Sequence, residues 1–258
     1  MTASEHRQDI TLYEAYLFDL DGVITPTVEL HRTAWRETFE ACFARLADEG
    51  AFGTSGTSGA ARAAMRPYEE QDYFDSLDGR PRFDAVATLL AARGIALPEG
   101  APGDEGLDTV IGIGNRKNRV FLEVLERDGI AAYPGSILLL DRLTALGKRL
   151  AVVSSSRNAE QVLVAAGLRD RFDTVVDGVV ASHEGLAGKP APDTYLRAAA
   201  LLDARPGRSV VFEDAASGVA AGRAGGFGLV VGVDRGAGAD ALLRDGADVV
   251  VNDLKELL

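Results

Sequence analysis

The sequence predicts an α/β protein in which helices cover both faces of a parallel sheet and a helical cap is inserted after the first strand. Three observations lead there. Short apolar runs at 15–18, 150–153, 210–212 and 229–233 stop at Asp19, Ser154, Glu213 and Asp234, the pattern of buried parallel strands. Segments of helical periodicity, at 137–146, 159–166, 192–202 and 217–224, lie between these runs, and alternating strand and helix builds a parallel sheet. The stretch from Thr27 to Ile130 instead carries amphipathic helical segments, such as 29–47 and 118–127, and no run that reads as a buried strand.

In chain order, the strand at 15–18 comes first and delivers Asp19 to its carboxyl end. The inserted region follows. Within it, Gly53-Thr54-Ser55-Gly56-Thr57-Ser58-Gly59 offers no side chain that fills a core, and no strand or lysine of a phosphate-binding loop flanks it, so it reads as a mobile loop. The chain then re-enters the sheet. In sheets of this kind ligands bind beyond the carboxyl ends of the strands, where Asp19, Ser154 and the Glu213-Asp214 pair all fall.

The 258 residues, 47% hydrophobic and 26% charged, suffice for a sizeable buried core. A formal net charge of −12 argues against nucleic acid and anionic membranes as partners, and it requires that cations holding an anionic substrate be gathered in one place. The single cysteine, Cys42, excludes an intramolecular disulfide and reads as helix packing. Residues 1–10 lack the apolar run of a signal peptide and no stretch is long and apolar enough to span a membrane, so a cytoplasmic location is expected. The acidic surface offers no clear association patch, which makes a monomer the expected state. His6 and His183 have no partner in the pattern and read as solvated surface residues.

Four elements carry chemistry. In Asp19-Leu20-Asp21-Gly22, two carboxylates spaced i and i+2 after a strand project to the same side. Turns are rich in Asp and Gly, and it is the position behind an apolar strand that lifts the pair above such a turn. One carboxylate held against a divalent cation can attack phosphorus while the second moves a proton. In Val153-Ser154-Ser155-Ser156-Arg157-Asn158 a hydroxyl run precedes a helix, which suits a phosphate cradle and equally a helix N-cap. Gly188-Lys189-Pro190-Ala191-Pro192 stiffens the backbone around a lysine, which suits a positioned cation for a transferring phosphoryl group; a solvated lysine is the common alternative. Glu213-Asp214 ends a strand with adjacent carboxylates, which repel unless a cation neutralises them, and Mg²⁺ fits both oxygen ligands and phosphate chemistry.

In this order the four elements resemble the haloacid dehalogenase-like hydrolase superfamily over residues 16–233. The resemblance implies a Rossmann-like parallel-sheet core formed by residues 1–27 and 131–258, with the helical cap at 28–130. It implies Asp19 as nucleophile, Asp21 as general acid/base, Ser154, Ser155, Ser156 and Lys189 as phosphate ligands, and Asp19, Asp21, Glu213 and Asp214 around Mg²⁺. The finer residues resemble the β-phosphoglucomutase branch, whose first motif continues Asp-Gly-Val-Ile-Thr as at 21–25. On that likeness Thr27, His31, Trp35, Gly79, Arg82, Lys117 and Asn158 join the substrate-binding candidates. Thr27 stands at the hinge, with His31 and Trp35 on its cap side. Asp78-Gly79-Arg80-Pro81-Arg82 offers Arg82 to a distal phosphate, Arg116-Lys117-Asn118 faces the sugar, and Tyr133-Pro134-Gly135 marks the return to the core. Two departures stand out: Pro26 occupies the place of a family acid, and the segment at 44–75 is longer than the compact family cap.

The branch resemblance implies interconversion of β-D-glucose 1-phosphate and glucose 6-phosphate through an aspartyl-phosphate enzyme and a glucose 1,6-bisphosphate intermediate, with water kept from Asp19. The alternative with the same residues is a Mg²⁺-dependent sugar-phosphate phosphatase, in which water reaches Asp19. A sugar-phosphate-binding regulator on a borrowed fold is disfavoured, since every catalytic position is occupied.

Overall fold

The computed structural model describes residues 10–48, 66–77, 80 and 82–258, and the chain divides into two compact units, Met1–Thr27 with Gly129–Leu258 and Val28–Asp128. His6, the run at 53–59, Asp78, Gly79 and Pro81 lie outside the described residues. Among the described residues no helix is long and apolar enough to cross a membrane.

The smaller unit is helical, with no strand among its described residues. Its long helix α1 (Thr27–Asp48) begins behind Pro26. A turn at Glu70–Asp72 runs on as a π-helix, Tyr73–Leu77, followed by α2 (Arg82–Ala92) and α3 (Val110–Asp128). Trp35, Phe39, Cys42, Phe43 and Leu46 of α1 pack with Leu89 and Leu90 of α2 and Ile113 of α3. Burial pushes the Cys42 thiol up to about 11, so this cysteine is inert packing. Helix α3 starts well ahead of the periodic segment at 118–127 because Gly112 and Gly114 mask its first turns. Both serve close approach: a Cβ on Gly114 would stand 2.6 Å from the Phe83 ring, and one on Gly112 would stand 2.7 Å from the Gly106 carbonyl.

The larger unit is a parallel sheet of six strands in the order β3-β2-β1-β4-β5-β6, a Rossmann-like order. The strands are β1 (Ala15–Phe18), β2 (Arg149–Val153), β3 (Thr174–Val176), β4 (Ser209–Glu213), β5 (Leu229–Val233) and β6 (Val249–Val251). Around them lie α4 (Pro134–Ala145), α5 (Ala159–Ala165), α6 (Gly178–Glu184), α7 (Asp193–Leu201), α8 (Ala216–Ala224) and α9 (Ala239–Asp245). Central β1 is buried on both faces, so alternate residues feed different layers. Ala15 and Leu17 join Val153, Val211, Tyr195, Ala198 and Val219 in one apolar cluster. Phe18 points the other way and stacks on its register partner Phe212 with ring centroids 4.4 Å apart, a pairing worth about 0.5–1.5 kcal/mol beyond its burial. Strands β3 and β6 have no counterpart among the sequence runs because three residues are too few for a periodic signal.

An ion cluster inside the smaller unit was also invisible in the sequence. Arg93 and Asp72, 2% and 3% exposed, meet at 2.5 Å, and Arg66 and the Glu69 amide bond the same carboxylate. The Arg93 guanidinium also lies 4.3 Å from the centre of the Phe43 ring and donates to the Arg66 and Pro67 carbonyls. Removing one partner of such a pair strands the other charge in an apolar interior. Asp72→Ala is therefore expected to cost about 3–5 kcal/mol of stability. Urea unfolding followed by the fluorescence of Trp35, the only tryptophan and a member of this unit's core, measures it.

Candidate active site

Strand ends deliver the acids. Asp19 is the first residue past β1, Ser154 the first past β2, and Glu213 closes β4 with Asp214 behind it. The Asp19 amide donates to the Phe212 carbonyl at 2.9 Å, which continues the β1–β4 ladder and sets Asp19 beside Glu213. Lys189 comes from the loop between α6 and α7, at a cis Lys189–Pro190 bond. Its Nζ lies 2.5 Å from Asp19 Oδ1, 2.5 Å from Glu213 Oε1 and 3.1 Å from the Val153 carbonyl. The Tyr195 hydroxyl donates to the same Glu213 oxygen at 3.0 Å, and the Ala215 amide donates to Oε2 at 3.2 Å.

Asp21 has different company. The Thr27 hydroxyl donates to its Oδ1, and Ser154 Oγ stands 3.4 Å from Oδ2. Ser154 Oγ accepts from the Ser156 amide at 3.0 Å, and Ser156 Oγ accepts from the Asn158 amide at 3.1 Å, so the hydroxyl run folds as successive side-chain turns leading into α5. Asn158 is buried at the head of α5, whereas Ser155 is exposed.

Charge in this cluster is unbalanced, with four carboxylates to one ammonium. Burial pushes Asp19 well above the usual carboxylate range; Lys189 opposes this, and Glu213, Asp21 and Asp214 add to it. Burial likewise raises Asp21 against the hydrogen bond from Thr27. Asp214 is pushed up to about 7 by burial, then by Glu213 and Asp21. Burial opposes the charge on Lys189, yet Asp19 and Glu213 outweigh it and hold the ammonium above its ordinary pKa. Oxygens of Asp19, Glu213 and Asp214 lie within 4.8 Å of one another. An all-oxygen set carrying excess negative charge fits a hard divalent cation. The Asp21 carboxylate, engaged by Thr27 and Ser154, stands outside that trio of oxygens.

Two glycines make room for the acids. Gly22 has φ +85°, and a Cβ there would stand 1.9 Å from Asp214 Oδ2; one on Gly218 would stand 1.7 Å from Glu213 Oε1.

The profile of the haloacid dehalogenase-like hydrolases matches residues 13–226. The chain is 48% identical over 249 residues to a β-phosphoglucomutase of Mycobacterium tuberculosis, covering 95% of this chain and 91% of that protein. The chain belongs to the haloacid dehalogenase-like hydrolase family, on its β-phosphoglucomutase branch. It is also similar to the solved structure of CbbY from Rhodobacter sphaeroides in complex with phosphate, with TM-score 0.67 and 26% identity, covering 95% of this chain and 96% of that one. A 128-residue stretch is 41% identical to a trehalose-phosphate phosphatase of Mycobacterium leprae, covering 48% of this chain and 28% of that protein. As a member of this family the chain is an enzyme of the phosphotransferase and hydrolase kind.

The family resemblance also picked residues in the smaller unit, and the structure groups several of them. Lys117, 5% exposed, reaches His31 Nδ1 at 2.6 Å and lies 5.0 Å from the Trp35 ring and 5.2 Å from Phe121. Burial, then Lys117 and Arg82, depress His31 well below its usual pKa, so a neutral imidazole accepts a hydrogen bond from the Lys117 ammonium at Nδ1. The Arg82 guanidinium stands 5.8 Å from the centre of the Phe83 ring. Gly79 lies outside the described residues. His183 is exposed, in keeping with a surface residue.

Tyr195 escaped the sequence reading because an aromatic in a helical stretch reads as core. Its ring does pack there, and only its hydroxyl serves Glu213. Thr27, a substrate-binding candidate in the sequence, spends its hydroxyl on Asp21.

Two outcomes test this arrangement. Gly22→Ala forces a Cβ into Asp214 and is expected to weaken Mg²⁺ binding by about 10–100-fold, as read by titration calorimetry; unchanged affinity removes Asp214 from the cation set. Lys189→Met removes the cation that Asp19 and Glu213 share and is expected to lower the rate of phosphoryl transfer at saturating substrate by about 10²–10³.

Proposed function

We propose that this enzyme interconverts β-D-glucose 1-phosphate and glucose 6-phosphate through an aspartyl-phosphate enzyme and a glucose 1,6-bisphosphate intermediate. The observation that carries the reading is the split between two neighbouring carboxylates, Asp19 on the Lys189 ammonium and Asp21 on the Thr27 and Ser154 hydroxyls. The likeness to a β-phosphoglucomutase over 95% of the chain supports the choice of sugar.

Asp19 attacks the phosphorus of the bisphosphate in line; the bond to the departing sugar oxygen breaks, and Asp21, protonated, gives that oxygen its proton. In the reverse sense Asp21 takes the proton of a sugar hydroxyl as that hydroxyl attacks the aspartyl phosphate. Burial holds the Asp21 pKa above the ordinary carboxylate value, which suits a group that must alternate between acid and base. Lys189 neutralises charge on the transferring group. Asp19, Glu213 and Asp214 would hold Mg²⁺, with Asp21 a further candidate; bound there, the ion screens the phosphate's charge from the acids. We assign Arg82 and Lys117 to the phosphate and hydroxyls remote from Asp19, with His31, Trp35, Gly79 and Asn158 as further sugar-phosphate contacts and Ser154, Ser155 and Ser156 to the transferring phosphate. The cytoplasm and a monomeric state go with this reading.

A Mg²⁺-dependent sugar-phosphate phosphatase is the second reading, favoured by the likeness of nearly half the chain to a trehalose-phosphate phosphatase. Product analysis separates the two. With β-D-glucose 1-phosphate, Mg²⁺ and a trace of glucose 1,6-bisphosphate, the mutase forms glucose 6-phosphate with little free phosphate; release of phosphate at a comparable rate decides for the phosphatase. Asp19→Asn is expected to abolish both products.

A further inference from the structure

The turn that follows Asp21 is gripped from outside itself. Its three successive carbonyls each accept a bond from a distant segment: Gly22 from Arg235 Nε at 2.7 Å, Val23 from Ser136 Oγ at 2.7 Å, and Ile24 from the Tyr133 amide at 2.9 Å. Ser136 and Tyr133 belong to the segment that opens α4, where the chain has just returned from the smaller unit. Arg235 follows β5, and its guanidinium stacks on Tyr133 with its carbon 3.8 Å from the ring centre. One arginine therefore joins the two grips.

Arg235 is fixed from behind as well. Its Nη1 donates to the Asn252 carbonyl at 3.0 Å, while Asp234 beside it donates its amide to Val251 and accepts the Gly236 and Gly238 amides on Oδ1. Its Nη2 is buried and finds no hydrogen-bond acceptor among the described residues. Burying part of a guanidinium without an acceptor is costly, so a role in folding alone is better served by an apolar side chain of similar length. What the guanidinium adds here is direction: a planar donor that aims Nε at Gly22 while its face rests on Tyr133.

We propose that Arg235, stacked on Tyr133, is a positioning residue for phosphoryl transfer. It touches no reacting atom. It fixes the Gly22 peptide, whose N-terminal neighbour is the acid/base Asp21 and whose α-carbon lies against Asp214 with no space for a methyl group. A displaced Gly22 moves both acids at once, one on each side of the turn. Because transfer chemistry is sensitive to shifts of about an ångström, the loss falls on turnover and not on substrate binding.

This proposal rests on the phosphoryl-transfer reading of Asp19 and Asp21, and the experiment separates the two. Arg235→Met, Tyr133→Leu and Tyr133→Phe are assayed with Mg²⁺ on β-D-glucose 1-phosphate and on p-nitrophenyl phosphate, a generic phosphate ester. Arg235→Met and Tyr133→Leu are expected to lower kcat by about 10-fold or more with KM unchanged and the folded fraction intact, whereas Tyr133→Phe, which keeps the ring, retains wild-type kcat. In parallel, hydrogen exchange by mass spectrometry is expected to accelerate at Gly22–Thr25 amides in Arg235→Met, since the Gly22, Ile24 and Thr25 amides are all bonded within that turn. Unchanged exchange there overturns the brace whatever the substrate proves to be. Unchanged kcat in Arg235→Met beside an active wild type overturns the positioning role alone. A wild type inert on both esters overturns the phosphoryl-transfer reading, and the exchange result still decides the brace.

Discussion

Asp19, Asp21, Glu213 and Asp214 crowd one end of the sheet, and the Lys189 ammonium is the cation that two of them share. Four carboxylates brought so close together would repel the strands that carry them if all were charged and alone. Lys189 ties the end of β1 to the end of β4 through Asp19 and Glu213, while Tyr195 and the Ala215 amide also bond Glu213. A surplus of negative charge still remains, and it adds to burial, the larger cause, in raising the pKa values of Asp19, Asp21 and Asp214. The site is therefore built to be completed by positive charge. The all-oxygen donor set that Asp19, Glu213 and Asp214 form among the described residues points to the hard divalent ions.

Register makes this possible. Phe18 pairs with Phe212 across the β1–β4 ladder, and the residues that follow each of them are Asp19 and Glu213. A slip of one residue would turn Asp19 to the opposite face of the sheet and leave Lys189 with a single partner. The phenylalanine stack behind the acids thus resists slippage in the one strand pair whose alignment matters most to the chemistry. Gly22 and Gly218 act on the same geometry from the loop side, since each leaves a gap that an acid's side chain fills.

Much of this was legible in the sequence because strand ends in a parallel sheet are marked twice, by an apolar run and by the polar residue that stops it. Asp19, Ser154 and Glu213 could be placed on one edge without knowing the order of the strands. The order itself, and the short outer strands β3 and β6, could not be read from runs of three residues. Helix α3 was seen only in its second half, because Gly112 and Gly114 are poor helix formers kept for close packing. Partnerships across long sequence separations left no local trace: Arg93 with Asp72, Tyr195 with Glu213, and Arg235 with Gly22 are each set by the fold and by no motif.

The mechanism proposed above gives the two acids of the first motif different roles, which spacing alone does not assign. Asp19 and Asp21 are both buried enough to have raised pKa values, so burial does not distinguish them. Their partners do. Asp19 faces a permanent cation, which favours the ionised carboxylate that a nucleophile requires, and the charge it shares with Glu213 and Asp214 is the charge that a divalent ion removes. Asp21 faces hydroxyls, which can donate to a carboxylate or accept from a carboxylic acid, and so tolerate either protonation state without leaving a buried donor or acceptor unmet. A group that must gain and lose a proton in each half of a transfer cycle needs surroundings of that second kind. On the proposed mechanism, the division of labour therefore lies less in the carboxylates themselves than in the choice of lysine for one neighbour and of threonine and serine for the other.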